Sequence, residues 1–339
     1  MIAKYLGYRL AQKLANRLPR LLSYSLAEGV ADVRWRTSAA DRQAVQHNLS
    51  LVLGVSVPER SPFTREVFRN FGRYLVEFFT AHQALAPTVA VDGVEHLADA
   101  RRRQRGAIIL TAHLGNWELG AVAIQRLGFP MAVVALPHDD PRMDRLFNAQ
   151  RQRCGIDVIP LGGDAARHSL RYLRAGRFLG LLGDRVFTQH GVTVTLAGQP
   201  VTLPRGPAVL SLRSQAPLIP AFFLREGKRA FHLYVEPPIW PPVQAVHNSS
   251  VQTMTQNYAR CLERALKQFA TQWLLFRSIT PEVQSPLLSQ ARREQRPEWA
   301  ATVGPQQVVW MIPPPGCHGG AITPFPRPGA AGRRTRTER

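Results

Sequence analysis

Leucines recur at every fourth position near the start of the chain, at Leu6, Leu10, Leu14 and Leu18. That spacing draws one stripe along an α-helix. Arg9, Lys13 and Arg17 step by the same interval along the adjoining edge, and no acid occurs before Glu28. Helical spacing continues in "RQAVQHNLSLVLG" and in "REVFRNFGRYLVEFFTAH", where Phe68, Phe71, Leu75, Phe78 and Phe79 recur at helical intervals. Residues 1 to about 85 therefore read as helical. From about 90 the period changes. Short apolar runs at 107–112, 131–136, 157–161, 178–183, 217–224 and 230–236 read as strands. Helical patterns at 117–127, 141–154, 165–176 and 205–215 fall between them, and "VQTMTQNYARCLERALKQFATQ" closes the region. Such alternation predicts an α/β fold with a mainly parallel central sheet flanked by helices. "FFLREGKRAFHLYVE" reads as a hairpin. Beyond 281, runs such as "PPPGCHGG" and "PFPRPGAAGRRTRTER" have no period and read as a disordered tail. The expected partition is a helical region at 1–85, an α/β core at 86–281 and a tail at 282–339.

The stretch "TAHLGNWELG" follows the apolar run "AIIL" and sets His113 just past a strand, with Glu118 five residues on. On an unbroken helix the two would point about 140° apart, so they meet only if the chain bends between them. Gly115 permits a bend, and Asn116 suits the N-cap of a helix starting at Trp117. Glu118 would then lie in the first helical turn, where the macrodipole favours a carboxylate. In that arrangement Glu118 accepts the Nδ1 proton of His113, and Nε2 is left to take a proton from a hydroxyl. The same pair also fits a structural ion pair or half a metal site. For the metal the spacing H-E-x-x-H is missing, and for a serine hydrolase G-x-S-x-G is missing.

Charge narrows the partners. Lys and Arg number 43 against 23 acids, a net +20. An excess of that size calls for a polyanionic neighbour: nucleic acid, an anionic membrane surface, or an acidic substrate or carrier. No recognised nucleic-acid motif occurs, and the basic residues are spread out. No run of ~18 apolar residues suggests a spanning helix. The N-terminal leucine stripe rimmed by cations instead fits a helix lying in a membrane interface, the alternative being a helix docked on the protein's own core. Three separated cysteines, Cys154, Cys261 and Cys317, fit no metal spacing and read as free thiols.

"HLGNWE" resembles the H-x4-D/E motif of the lysophospholipid acyltransferase superfamily. It is most similar to the bacterial branch of lipid A biosynthesis lauroyl/myristoyl and phosphatidylinositol mannoside acyltransferases. Further blocks resemble that branch in order: "QHNLSLVLG" (46–54), "FRNFGRYLVEFF" (68–79), "RQRCG" (151–155), "LLGDR" (181–185), "GVTVTLAGQP" (191–200), "LPRGPAVLSLRSQAPLIPAFFLRE" (203–226) and "QWLLFR" (272–277). Together they span roughly residues 1 to 280. The resemblance implies an enzyme that moves a fatty acyl chain from an acyl carrier protein or coenzyme A thioester to a hydroxyl of a glycolipid or lysophospholipid. It implies work at the cytoplasmic face of the bacterial inner membrane as a peripheral or monotopic protein, with no metal or cofactor. His113 would be the general base and Glu118 its partner. Arg151 and Asp184 would position substrate or stabilise the oxyanion, and Asn116, Arg185 and Arg205 would touch substrate. The competing expectation is a non-catalytic basic protein that binds lipid or nucleic acid. "VTLAG" (194–198) departs from the family's aromatic pair, so Thr195, Leu196 and Ala197 are expected to reshape the pocket.

Overall fold

The helices of the N-terminal region are four, and their ends follow local chemistry. The structure is a computed structural model that describes residues 2–83, 89–187, 191–227, 230–243 and 247–280. Helix α1 (Ile2–Arg17) gives way to α2 (Arg20–Thr37) across Pro19, whose ring removes the N–H a continuous helix would need. Helix α3 (Ala39–Leu53) stops at Gly54, in the left-handed region at φ 67°. Helix α4 (Pro62–Thr80) starts with a capping box between Ser61 and Thr64 and with proline at its first turn.

The strand and helix patterns beyond residue 90 form one seven-stranded sheet. Its strands are β1 (Val89–Asp92), β2 (Ala107–Thr111), β3 (Met131–Ala135), β4 (Asp157–Pro160), β5 (Phe178–Leu182), β8 (Leu218–Arg225) and β9 (Phe231–Val235). They lie in the order β1-β9-β8-β2-β5-β3-β4. Strands β4, β3, β5, β2 and β8 are mutually parallel, β9 runs against β8 as the expected hairpin, and β1 follows β9. Side chains alternate between two faces. Ile108 and Leu110 join one buried cluster with Met254, Tyr258 and Leu262 of α10 (Asn248–Phe269). Ala107 and Ile109 join the other with Leu119, Val122 and Ile124 of α6 (Trp117–Arg126). Helices cover both faces, so the strands read as continuous apolar runs. Helices α7 (Pro141–Arg153), α8 (Ala165–Arg174) and α9 (Gly206–Ser214) complete the layers.

The fold adds elements that the pattern did not announce. Strand β1 is four residues long, and α5 (Val94–Arg102) is short and highly charged. A separate hairpin, β6 (Gly191–Leu196) with β7 (Gln199–Pro204), takes up "GVTVTLAGQP". Ala197 and Gly198 both have positive φ in its two-residue turn. The hairpin docks on α10, where Glu263 accepts the Ala197 N–H at 2.8 Å. Leu196 is buried in the core. The departure at Thr195, Leu196 and Ala197 thus builds the tip of a docked hairpin. The expected disordered tail, 282–339, lies outside the described residues.

The leucine stripe of α1 is not packed on the protein. Leu6 and Leu10 are each 57% exposed. The helix docks through its other side, where Tyr8 meets the rings of Phe79 and Phe147 and Asn16 donates to the Phe79 carbonyl. Helix α2 adds exposed Leu22, Leu26 and Val30, again spaced by four. Among the described residues no helix is long and apolar enough to cross a membrane.

Asp32 of α2 ties that helix to α4 by accepting from Arg65 and Arg69 together. Those guanidinium hydrogen bonds hold its carboxyl well below the usual carboxylate range. A carboxyl depressed in the folded state stabilises above its unfolded pKa, near 3.9, and that stability is lost as pH falls toward the folded value. Asp32→Asn should therefore lower the melting temperature at neutral pH. It should also flatten the decline in stability below pH ~4, measured by thermal melts across pH.

Candidate active site

Strands β2 and β5 are neighbours, and their register decides what stands at the sheet edge. Ala107 pairs with Phe178 and Thr111 with Leu182. Continuing that offset by two residues sets His113 opposite Asp184. The side chains meet: His113 Nδ1 lies 2.9 Å from Asp184 Oδ1, and the His113 backbone N–H donates to Oδ2 at 2.9 Å. Trp273 Nε1 donates to the same Oδ2 at 3.0 Å. Asp184 is buried, which opposes its charge. His113 and the N–H donors outweigh burial and hold the carboxyl below its ordinary value. His113 itself keeps some exposure, and its Nε2 has no hydrogen-bond partner among the described residues.

This corrects the expected pairing of His113 with Glu118. The bend at Gly115 forms as expected, with φ 66°, and a Cβ there would sit 2.1 Å from the Phe223 carbonyl oxygen. Asn116 caps α6 by accepting the Leu119 N–H at 3.1 Å. Glu118 does fall in the first turn of α6. Its carboxylate, however, is taken by Arg151 of α7, with Nη2–Oε1 at 2.6 Å and Nε–Oε2 at 3.0 Å. Both groups are largely buried. Burial opposes the charge of Arg151, and the adjacent Glu118 outweighs it and raises the guanidinium pKa. Arg151 also donates to Asn148 at 2.8 Å. With its fork closed on Glu118, it is a brace between α6 and α7 and not a free oxyanion donor.

Asn116 is likewise committed to structure. Its Oδ1 caps the helix, and its Nδ2 donates at 2.8 Å to Glu77 Oε2. Glu77, of α4, is fully enclosed and also accepts from Tyr24 of α2 at 2.7 Å and from Arg225 of β8 at 2.6 Å. Asn116 is also buried, so its amide serves the cap and the Glu77 contact inside the protein. Arg185 directly follows Asp184, half-buried, with its guanidinium over the Phe187 ring at 4.5 Å. Burial first, and then Arg277, lower its pKa. Arg205 stands partly exposed at the start of α9. No hydrogen bond or ion pair joins it to His113 or Asp184, so it is not gathered with them.

The terminal block "QWLLFR" closes the loop. The Leu274 N–H donates to the His113 carbonyl at 2.6 Å and the Gly115 N–H to the Gln272 carbonyl at 2.9 Å. Tyr258 of α10 donates to the Thr111 carbonyl at 2.7 Å. Trp117 turns its ring edge to His113 with centroids 5.0 Å apart, and stacks on Tyr74 at 4.4 Å. Reasoning from sequence missed Trp273, Tyr258, Arg277 and Glu77 as parts of this setting. Trp273 and Arg277 were available as the W and R of that block. The arrangement offers an imidazole fixed through Nδ1 by a buried carboxylate, with Nε2 unengaged among the described residues. Such a group can act as a general base. No cluster of His, Cys, Asp and Glu suited to a metal occurs among the described residues.

Comparison with known proteins follows the same direction. Residues 3–278 match the family model for bacterial lipid A biosynthesis acyltransferases. A phosphatidylinositol mannoside acyltransferase of Mycolicibacterium smegmatis is 28% identical over 66% of this chain and 75% of its own. The protein of the same name from Mycobacterium tuberculosis is 28% identical over 75% of this chain and 80% of its own. The lipid A biosynthesis lauroyltransferase of Escherichia coli is 25% identical over 77% and 86%.

Removing one member of a buried ion pair leaves the other charged and unmatched, at about 3–5 kcal/mol. Glu118→Gln should therefore destabilise by about 3 kcal/mol, and Glu118→Gln with Arg151→Gln should recover part of that loss. Denaturant melts of the four proteins in a double-mutant cycle measure the coupling. Additive losses would show that the pair does not brace α6 against α7.

Proposed function

The chain belongs to the bacterial lipid A biosynthesis acyltransferase family, and from that premise we propose a reaction for it. It is an acyl-transferring enzyme that acts on a lipid acceptor. In the finer reading, a fatty acyl chain passes from an acyl carrier protein or coenzyme A thioester to a hydroxyl of a glycolipid or lysophospholipid. The observation that carries the reading is the His113–Asp184 pair, with Nε2 unengaged at the C-terminal edge of a parallel sheet, where open α/β folds bind ligands.

His113 Nε2 accepts the proton of the acceptor hydroxyl as that oxygen attacks the thioester carbonyl. The carbonyl π electrons move onto oxygen, and the tetrahedral oxyanion is offset by positive charge. Arg185, with Arg277 close enough to lower its pKa, supplies that charge better than Arg151, whose fork is closed on Glu118. Collapse re-forms the carbonyl and expels the thiolate, which takes the proton from the imidazolium. Asp184 fixes the tautomer and stabilises the imidazolium between these steps. Glu118 acts at one remove, by holding the helix that carries the loop.

Seating on an anionic bilayer at the cytoplasmic face of the inner membrane is part of the same proposal. Its support is the pair of unpacked apolar stripes on α1 and α2 with cations beside the first. Each stripe can sink into the interface while Arg9, Lys13 and Arg17 reach headgroups.

His113→Ala should lower single-turnover acyl transfer from a thioester to a lysolipid or glycolipid by about 10²–10⁴, in protein whose melt is lowered by the lost Asp184 partner but still cooperative. Asp184→Asn should be comparably severe, and the double variant little worse than His113→Ala, because the two act as a unit. A folded His113→Ala protein that turns over at the wild-type rate would remove His113 from the chemistry. For the membrane, Leu10→Asp with Leu26→Asp should release the protein from anionic vesicles in a flotation assay without lowering its melting temperature. Unchanged flotation would place the membrane seat elsewhere.

A further inference from the structure

Helices α1 and α7 lie side by side, and each turns a polar stripe toward the seam. From α1 come Tyr5, Arg9 and Gln12, and from α7 come Arg142, Arg145 and Arg153, around a cavity of about 170 Å³. The spacing on α7 keeps these arginines on one flank, while Met143, Phe147 and Gln150 are buried. The same helix therefore carries Arg151 toward Glu118 and three other arginines toward the seam.

Four guanidiniums in one cavity wall repel one another unless negative charge offsets them. The cavity lining contains no carboxylate. Arg142 is matched, forked onto Asp140 at 3.0 and 2.7 Å and set over the Tyr5 ring at 5.2 Å. Among the described residues, Arg9 donates only to Gln12, at 3.2 Å. Arg145 and Arg153 have no hydrogen-bond or ion-pair partner among the described residues. Asp144, next along α7, is used by the His138 N–H and by Asn148.

We propose that this cavity is a binding subsite for a phosphate group. Arginine forks from two helices can meet several oxygens of one phosphate at once, which a point charge such as lysine cannot. A cavity of about 170 Å³ has room for a phosphate with its oxygens. Tyr5 and Gln12 supply further polar atoms.

Its position favours a phosphate presented at a lipid surface. Three residues turn a helix by about 300°, so Arg9 lies about 60° from Gln12 on one side and from Leu6 on the other. The cavity therefore opens beside the exposed leucine stripe, and a lipid whose chains lie along Leu6 and Leu10 has its phosphate at the guanidiniums. A soluble phosphate is the other source of the same chemistry. The subsite rests on the membrane reading only for that source, not for its ability to bind.

Thermal melts of the full chain test it, with pyrophosphate against chloride at equal ionic strength. Pyrophosphate should raise the melting temperature of the wild type by mass action. Arg145→Gln with Arg153→Gln should weaken that effect by at least about tenfold in the concentration needed. Ala149→Glu places a carboxylate in the cavity wall. It should abolish the pyrophosphate response while the variant stays folded; a rise in melting temperature without anion would be expected of its i,i+4 pairs with Arg145 and Arg153 in any case. In a second arm, phosphatidylcholine vesicles carry phosphatidic acid or, at equal surface charge, oleate. Wild-type preference for phosphatidic acid, lost in the double glutamine variant, identifies the lipid source. Pyrophosphate stabilisation without vesicle preference identifies a soluble one. Absence of pyrophosphate stabilisation, or its persistence in both variants, overturns the subsite. Neither arm contains an acyl donor or acceptor, so the outcome is independent of whether acyl transfer occurs as proposed.

Discussion

A carboxylate shut away from water has to be met by donors, and the site is arranged around one that is. Asp184 receives the His113 ring, the His113 backbone N–H and the Trp273 indole. These three come from two separated parts of the chain, and a carboxylate stripped of hydration costs several kcal/mol unless such partners arrive together. The parallel register of β2 and β5 brings the first two, since equal steps along adjacent strands carry 113 to 184. The closing segment after α10 brings the third, pinned by the Leu274 and Gly115 backbone hydrogen bonds. Removing any of them exposes the same deficit. The burial of Asp184 and the tautomer of His113 are therefore one constraint, and the free Nε2 is its consequence.

The same physics explains why Glu118 is not the partner of His113. Two other enclosed carboxylates lie near the loop, and each has its own guanidinium. Glu118 is closed on Arg151. Glu77 takes Arg225, Tyr24 and Asn116. Had Glu118 turned to His113, Arg151 would be left buried and unmatched between α6 and α7. The H-x4-E spacing is thus met by two devices, one at each end. Glu77 extends the arrangement outward, because Tyr24 lies on α2, the helix that also exposes Leu22 and Leu26. A continuous set of hydrogen bonds runs from that outer helix to the cap of α6.

Much of this was legible in the residues. The apolar runs of β2, β3, β4, β5, β8 and β9 sit within a residue or two of their expected places, most plainly at β2 and β8, which are buried on both faces and read as unbroken apolar stretches. The bend at Gly115 and the cap at Asn116 were legible for a local reason: both depend on neighbours within four residues. The Asp184 partnership was not, because it depends on which strands are adjacent, and apolar runs do not reveal strand order. With β2 next to β5, the residue numbers alone would have found it. Strand β1 has four residues and α5 is dominated by charge, so neither rises above a loop in pattern. The β6–β7 hairpin is different. "GVTVTL" alternates as a half-buried strand should, and its two-residue turn needs positive φ at Ala197 and Gly198. Both signals are local and stand in the sequence itself.

Helix α7 shows how the excess of positive charge can be divided. A helix at the boundary of two layers has two polar environments available, one enclosed and one open. Arg151 faces the enclosed one, where only a matched carboxylate makes a charge tolerable, and Glu118 is there. Arg145 and Arg153 face the open seam, where water screens them and no carboxylate is required for folding. Unmatched cations of this second kind contribute nothing to the core, and their mutual repulsion works against the docking of α1. Tyr8 and Asn16 hold that helix in place against it. A basic surface that the fold must work to tolerate differs from a basic surface that merely keeps a chain soluble. The first has its charge concentrated where an anion can be gripped from two sides, and in the described chain that place is the seam beside the leucine stripe.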